Sequence, residues 1–271
     1  MASSIARMER MISAASPALA ASPPGILLRS FAAAEIGAHG FSTGMATFEP
    51  AANLAYHVHE VSESIVILSG VAHVLVEERQ YRMRPYDCIH IPAGVAHSVV
   101  NASSDAELRV HSSFASPQPA RTFVNNSRPE KSVALDEPPA GCPEAIVRFD
   151  RAPIYELAAG AFFRDLFARR LGSRGICGGY GRFEPGSSLP CHIHEFDESI
   201  TIVEGEAACL VQGREYTLSE CGTAFIPRRK PHRFINRSSE PMAMIWVYAG
   251  DEPDREIISA DYCSGKLIWP S

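Results

Sequence analysis

The sequence predicts an all-β protein made of two copies of one sandwich- or barrel-like unit. Three features lead there. The stretch YHVHEVSESIVILSG at residues 56–70 returns, altered, as CHIHEFDESITIVEG at residues 191–205. Apolar segments are short, β-rich and divided by turn residues. The long helical periodicity needed for parallel βαβ units is missing.

The repeat comes first because it sets the domain count. His57 and His192, Glu63 and Glu198, and His97 and His232 are each 135 positions apart. The register runs without a gap from Phe48 against Phe183 to Asn101 against Asn236, and roughly 21 of the 54 aligned pairs are identical. Such a duplication implies two domains. Within each unit, strands are expected at 64–68 (SIVIL), 72–76 (AHVLV), 199–203 (SITIV) and 207–211 (AACLV), with turns at Ser69-Gly70, Glu204-Gly205 and Gln212-Gly213. A few helical turns are expected within 154–170. Prolines 117, 119, 129, 138, 139 and 143, with Asn125-Asn126 and Asp136-Glu137 among them, predict an extended connector. The expected layout is a tail over 1–20, a first unit over 21–115, a connector over 116–142, and a second unit with its own tail over 143–271.

Composition narrows the partners. The 271-residue chain is 46% apolar and 21% charged, which suits a folded protein. A net charge of −6 gives no basic excess for nucleic acid or an anionic membrane. No run approaches the ~18 apolar residues of a membrane span. Arg7, Glu9 and Arg10 interrupt the first twenty residues, so these are expected to form a mobile or weakly helical tail rather than an export signal. The seven cysteines are odd in number and lack paired spacing, which predicts reduced thiols and a cytoplasmic location.

The repeated motif carries the chemistry. On a strand, alternate side chains share a face, so His57 and His59 point the same way, as do His192 and His194. Glu63 and Glu198 have matching parity, and His97 and His232 follow 34 residues later beyond an Ile-Pro turn. A lone HxH is more often two ordinary histidines than a metal site. Here six of the ten histidines fall in one pattern, equally spaced in both copies. Three imidazoles and one carboxylate suit Fe(II), Mn(II), Ni(II), Co(II) or Zn(II) and leave two positions open on an octahedral ion.

HVHEVSE…G followed by IPAGVAHSVVN, and GSSLPCHIHEFDE…G followed by IPRRKPHRFIN, resemble the two signature motifs of the cupin superfamily. The whole chain resembles a bicupin. The resemblance implies two tandem antiparallel β-barrels of jelly-roll (double-stranded β-helix) type, each with a divalent transition metal in its mouth. It makes His57, His59, Glu63 and His97 the first ligand set, and His192, His194, Glu198 and His232 the second. A homodimer and a small-molecule substrate are also implied. The pattern departs from the family at Ala51, where the second copy keeps Gly186, at Tyr86-Asp87 and Cys221-Gly222, and at Pro227-Arg228-Arg229 against Pro92-Ala93-Gly94. None of these changes removes a ligand.

Arg228, Arg229 and Lys230 lie in the turn before His232 and are candidates for attracting an anionic substrate; a solvated loop or an ion pair is the competing expectation. His90, Tyr86 and Phe225 are candidates for the cavity wall but more often core. The constant offset makes His111 and Trp246 equivalent, and Cys191 alternates away from the metal. His39 and His73 stand outside the pattern. The expected function is a metal-dependent enzyme, with dioxygenase-type oxidation of a small anionic molecule leading. Lewis-acid isomerase, lyase or decarboxylase chemistry is the alternative. A non-catalytic ligand-binding or sensory barrel is the second alternative; two intact ligand sets and the lack of a DNA-binding helical module count against it.

Overall fold

The structure is a computed structural model that describes residues 7–16, 18–19, 22–124 and 132–270. Two jelly-roll barrels account for nearly all of it, each made of two antiparallel sheets. In the first barrel, Glu63–Ser69, Cys88–Ile91, Leu108–Phe114, Ser42–Phe48 and Ile26–Ala32 form one sheet. Asn53–Val58, His97–Asn101, Ala72–Val76 and Arg79–Met83 form the facing one. Alternate residues turn inward, so Ile65, Ile67, Val74, Val76, Val99 and Val110 fill one core. The second barrel repeats this plan with Glu198–Glu204, Thr223–Ile226, Met242–Tyr248, Cys177–Phe183 and Ala161–Phe167 against Glu206–Val211, Arg214–Ser219, His232–Ile235 and His192–Ile193. No helix among the described residues is long and apolar enough to cross a membrane.

The larger sheets pack back to back. Their outer faces share a buried apolar layer that includes Val66, Phe167, Tyr180, Phe225, Ile245 and Val247. Polar groups within it pair across the interface: Thr43 Oγ1 lies 2.9 Å from Ser199 Oγ, and His111 Nε2 lies 3.3 Å from Thr201 Oγ1. Burial pushes His111 down to about 4, so it stays neutral there.

Each barrel also borrows a strand. Arg10–Ile12 pairs with Thr223–Ile226 of the second barrel, and Ala145–Val147 pairs with Cys88–Ile91 of the first. The two borrowed strands are 135 positions apart and meet equivalent partners, so the duplicated unit begins upstream of where sequence identity fades. Just before each strand lies a buried glutamate. Glu144 accepts from Arg79 Nε at 2.6 Å and Tyr81 at 2.5 Å. Glu9 accepts from Lys230 at 2.7 Å and Tyr216 at 3.0 Å, and pairs with Arg214 at 2.6 Å. Burial raises both carboxyls, but these donors outweigh it and hold them low.

Four sequence expectations change. The tail expected to be mobile or weakly helical supplies the strand Arg10–Ile12. Residues 154–170, expected to hold helical turns, form the hairpin Tyr155–Ala158 and Ala161–Phe167, with a short 3₁₀ turn at Arg169–Leu171. Gly160 at φ +73° makes the turn that a continuous helix would forbid. The connector is not merely extended: Thr122–Phe123 and Val133–Leu135 add to the first barrel, the latter as the one parallel pairing among the described strands. Asn125, Asn126 and Pro129 lie outside the described residues. The cysteines are not all reduced, since Cys191 and Cys263 form a disulfide across 72 residues, and the argument from free thiols to a cytoplasmic location loses its ground. That bond ties the short helix Ala260–Cys263 beside His192, so the C-terminal tail packs on its own barrel.

Replacing Glu9 with Ala should cost about 3 kcal/mol, because it strands Lys230 and Arg214 without their buried partner. Hydrogen exchange should rise in Thr223–Ile226, more than 200 residues away in sequence, before it rises in the first barrel. Reduction, or Cys263→Ser, should lower stability by about 2–4 kcal/mol. The thermal midpoint of the parent, but not of the variant, should then respond to dithiothreitol.

Candidate metal centres

Each barrel brings its four motif residues together in its interior. His57 and His97 face each other across adjacent strands, as do His192 and His232. Glu63 and Glu198 open strands of the opposite sheet and reach across. In both sets all four residues are buried, and one ligand atom from each lies within 4.8 Å of the others. Glu63 Oε2 is 3.4 Å from His59 Nε2 and 3.0 Å from His97 Nε2. In the second set, Glu198 Oε2 is 3.4 Å from His194 Nε2 and 2.7 Å from His232 Nε2.

The backbone fixes which nitrogen faces inward. Nδ1 of His57, His59 and His97 donates to the carbonyls of Ala55, Ala120 and Val95 at 2.8, 2.6 and 3.0 Å. Nδ1 of His192 and His232 donates to Pro190 and Lys230, each at 2.8 Å, and that of His194 to Asp254. Every Nε2 is thereby left as an acceptor aimed at the centre, the orientation metal-bound histidines need. Burial pushes His57 down to about 3 and His194 to about 4, and holds His192 well below its ordinary value. Burial would raise the two glutamates, but the histidines around them hold both down, Glu63 well below the usual carboxylate range. Nε2 of His59, His194 and His232 and Oε2 of Glu198 are buried and have no hydrogen-bond partner among the described residues. Convergent acceptors without a donor are unfavourable until a cation sits among them. Two neighbouring ligands about 2.1 Å from an ion lie about 3 Å apart, which suits this spacing. Both sets therefore fit a divalent metal, one per barrel.

An arginine accompanies each set, and sequence reasoning missed both. Arg121 Nε is buried and has no partner among the described residues, and its charge acts on His57 while Glu63 acts on it. Arg255 Nε is likewise buried and unpartnered, and its charge acts on His192, His194 and Glu198. Each directly follows the carbonyl that holds the second histidine of its set, and precedes the short strand that pairs with the first. The shared Pro-x-Arg of PART and PDRE was the available signal, but it lies 134 positions apart, outside the 135 register. The cations named from sequence have other partners. Lys230 binds Glu9 and the Arg7 carbonyl, Arg229 binds Glu195, and Arg228 is exposed while its backbone N–H donates to Asp197 at 2.9 Å.

The register shift matters inside the barrels as well. The buried Asn101 side chain donates to the carbonyl five residues on, whereas Asn236 reaches only four, so the second turn is one residue shorter. Trp246 consequently matches Ser112, not His111: Ser112 pairs with Gly44 and Trp246 with Gly179. His111 lies instead between the barrels. Leu28, Val99 and Val110 of the first barrel likewise give way to Phe163, Phe234 and Met244 in the second, all packed in its core. A cavity of about 1140 Å³ reaches the first ligand set, with His57, His59, Glu63 and Arg121 on its wall. It continues past Ile26–Ala32 to the N-terminal segment. Tyr86 and Phe225 belong to the inter-barrel layer, and His90 bonds Ser64 at 2.8 Å, so none of the three lines this cavity.

The cupin domain family matches residues 44–114 and 179–248, just over half of the chain. No curated protein sequence matches significantly. Among solved structures, the chain is similar to Lactobacillus farciminis oxalate decarboxylase in its formate complex, with a TM-score of 0.74 at 15% identity over 92% of this chain and 88% of that one. It is also similar to Bacillus subtilis oxalate decarboxylase, with a TM-score of 0.71 at 14% identity over 92% and 78%. Two matched domains, two barrels and a ligand set in each make this chain a member of the cupin family with the two-domain, bicupin architecture.

Proposed function

We propose that the protein is a metal-dependent enzyme that carries out lyase-type, decarboxylase-like chemistry on a small carboxylic acid. The observation that carries this reading is Arg121, whose buried Nε has no partner among the described residues and lines a cavity shared with His57, His59 and Glu63. A guanidinium stays charged at any working pH, and one whose Nε is buried without a partner among the described residues is suited to receive an anion. Its planar fork matches a carboxylate in two parallel hydrogen bonds. When bound, a divalent ion supplies a Lewis acid that draws negative charge onto a substrate oxygen. The chain contributes the rest. Arg121 holds and orients the acid, while Leu54, Val99 and Phe114 withhold water from it. His57, His59, Glu63 and His97 would hold the ion, and the carbonyls behind the histidines keep each imidazole in place. In a decarboxylation the bond to the carboxyl carbon breaks, CO₂ leaves, and a proton replaces it.

Dioxygenase-type oxidation, the leading expectation from sequence, would use the same ligands. Support for the non-oxidative alternative comes from the neighbours in fold, which are named as decarboxylases, and from the Arg121 Nε, which has no partner among the described residues.

The metal-loaded protein should release CO₂ from at least one member of a carboxylic-acid panel without oxygen, and Arg121→Gln should lower kcat/KM about 10²-fold. Stoichiometric oxygen uptake would return the dioxygenase reading. Metal analysis should find two equivalents per chain, falling by one in His57→Ala/His59→Ala and by one in His192→Ala/His194→Ala. Acid should act on the metal-free protein in a defined direction. Because the fold keeps His57 and His194 neutral to about 3 and 4, the unfolded chain takes up protons first as pH falls below about 6.5. Stability should be complete above that pH and fall below it by up to about 1.4 kcal/mol per pH unit for each such histidine, which denaturant titrations at pH 7 and 5 would measure.

A further inference from the structure

We propose that the acid taken by the first barrel is amphipathic, with one carboxylate on Arg121 and an apolar aryl or alkyl body in the space Ser112 leaves over Gly44, a space Trp246 closes in the second barrel. The inference rests on the carboxylate reading above and names the class of substrate. The charge available in the cavity sets the first limit. Among the described residues, Arg121 is the one cationic side chain on its wall beside the ligand set; Arg29 also lines the cavity, but further along Ile26–Ala32, where its Nε donates to the Ser16 carbonyl. A second carboxylate deeper in the barrel would meet Leu54, Ile65, Val99 and Val110, and would be desolvated without compensation. A compact dianion would leave that apolar wall unused, whereas an apolar body gains by leaving water.

The comparison between barrels sets the second limit. Ser112 and Gly44 face each other across adjacent strands and put almost no side chain into the interior. At the matching place, Gly179 lies under the Trp246 indole so closely that an added Cβ would come within 2.8 Å of Trp246 Cζ2. Trp246 packs with Phe163, Phe234 and Met244 in one continuous core. The second barrel keeps the ligands and Arg255, but sets the Trp246 indole where the first has Ser112. Large acids should bind once per chain.

Isothermal titration of the metal-loaded protein with acetate, oxalate, hexanoate, phenylacetate and phenylacetamide tests this. Phenylacetate and hexanoate should bind with one equivalent per chain and at least about tenfold more tightly than acetate or oxalate. The neutral amide and the Arg121→Gln variant should each show at least about tenfold weaker binding. Ser112→Trp should abolish phenylacetate binding with metal content unchanged, and the smaller step Ser112→Val should weaken it, which keeps the test open if the indole disturbs folding. Trp246→Ser should add a second equivalent. Equal binding of acetate, oxalate and phenylacetate, or phenylacetate binding unaffected by both Ser112 variants, would overturn the proposal. If phenylacetate binds as expected but no acid is turned over, the pocket stands and the decarboxylase-like reading falls.

Discussion

In each barrel three imidazole nitrogens and a carboxylate oxygen point at one buried spot, and four of these eight atoms have no hydrogen-bond partner among the described residues. This arrangement is costly by itself, and much of the surrounding architecture keeps it from relaxing. The carbonyls behind the imidazoles fix the tautomer, so no ring can turn its N–H inward. The cross-strand pairs His57 with His97 and His192 with His232 place two ligands on one sheet, while the glutamate comes from the other. An ion held by these residues would join the two sheets of a barrel. Asp197, between two second-set ligands, is held from three sides by Arg7, the His39 N–H and the Arg228 N–H.

Much of this was legible in the sequence because the motif is dense and repeated. Eight ligand positions, two units and the all-β class follow from the spacing of histidines and the short apolar runs. What stayed hidden has identifiable physical reasons. The borrowed strands Arg10–Ile12 and Ala145–Val147 share almost no identity, because a three-residue strand needs only backbone pairing and one buried glutamate to hold its place. Cys191 and Cys263 are separated by 72 residues with no spacing signal, and only the fold of the tail brings them together. Arg121 and Arg255 fell outside the register because one residue is missing from a turn far from either site. The same missing residue made Trp246 look like the partner of His111, which hid the contrast with Ser112.

The two copies have therefore kept their metal chemistry and diverged around it. One interior retains small side chains near the ligands, and the other has filled with aromatic ones. Packing explains why both remain stable. The filled barrel gains buried apolar area and dispersion contacts, and the open one gives up part of that gain to keep a cavity. The shared layer of Val66, Phe225, Ile245 and Val247 buries both outer faces, so neither barrel presents its large sheet to solvent.

The exchange of strands has a consequence for how such a chain can be cut. A break in the connector would leave the first half without Ala145–Val147 and the second without Arg10–Ile12, each exposing a sheet edge shaped for the missing piece. The fragments would then recover the native arrangement by complementing one another, at a rate set by their concentration. The connector turns that encounter into an intramolecular one, with an effective concentration on the order of millimolar. In this sense the covalent chain is a tethered, strand-swapped pair, and its connector is as much a part of a subunit interface as a linker.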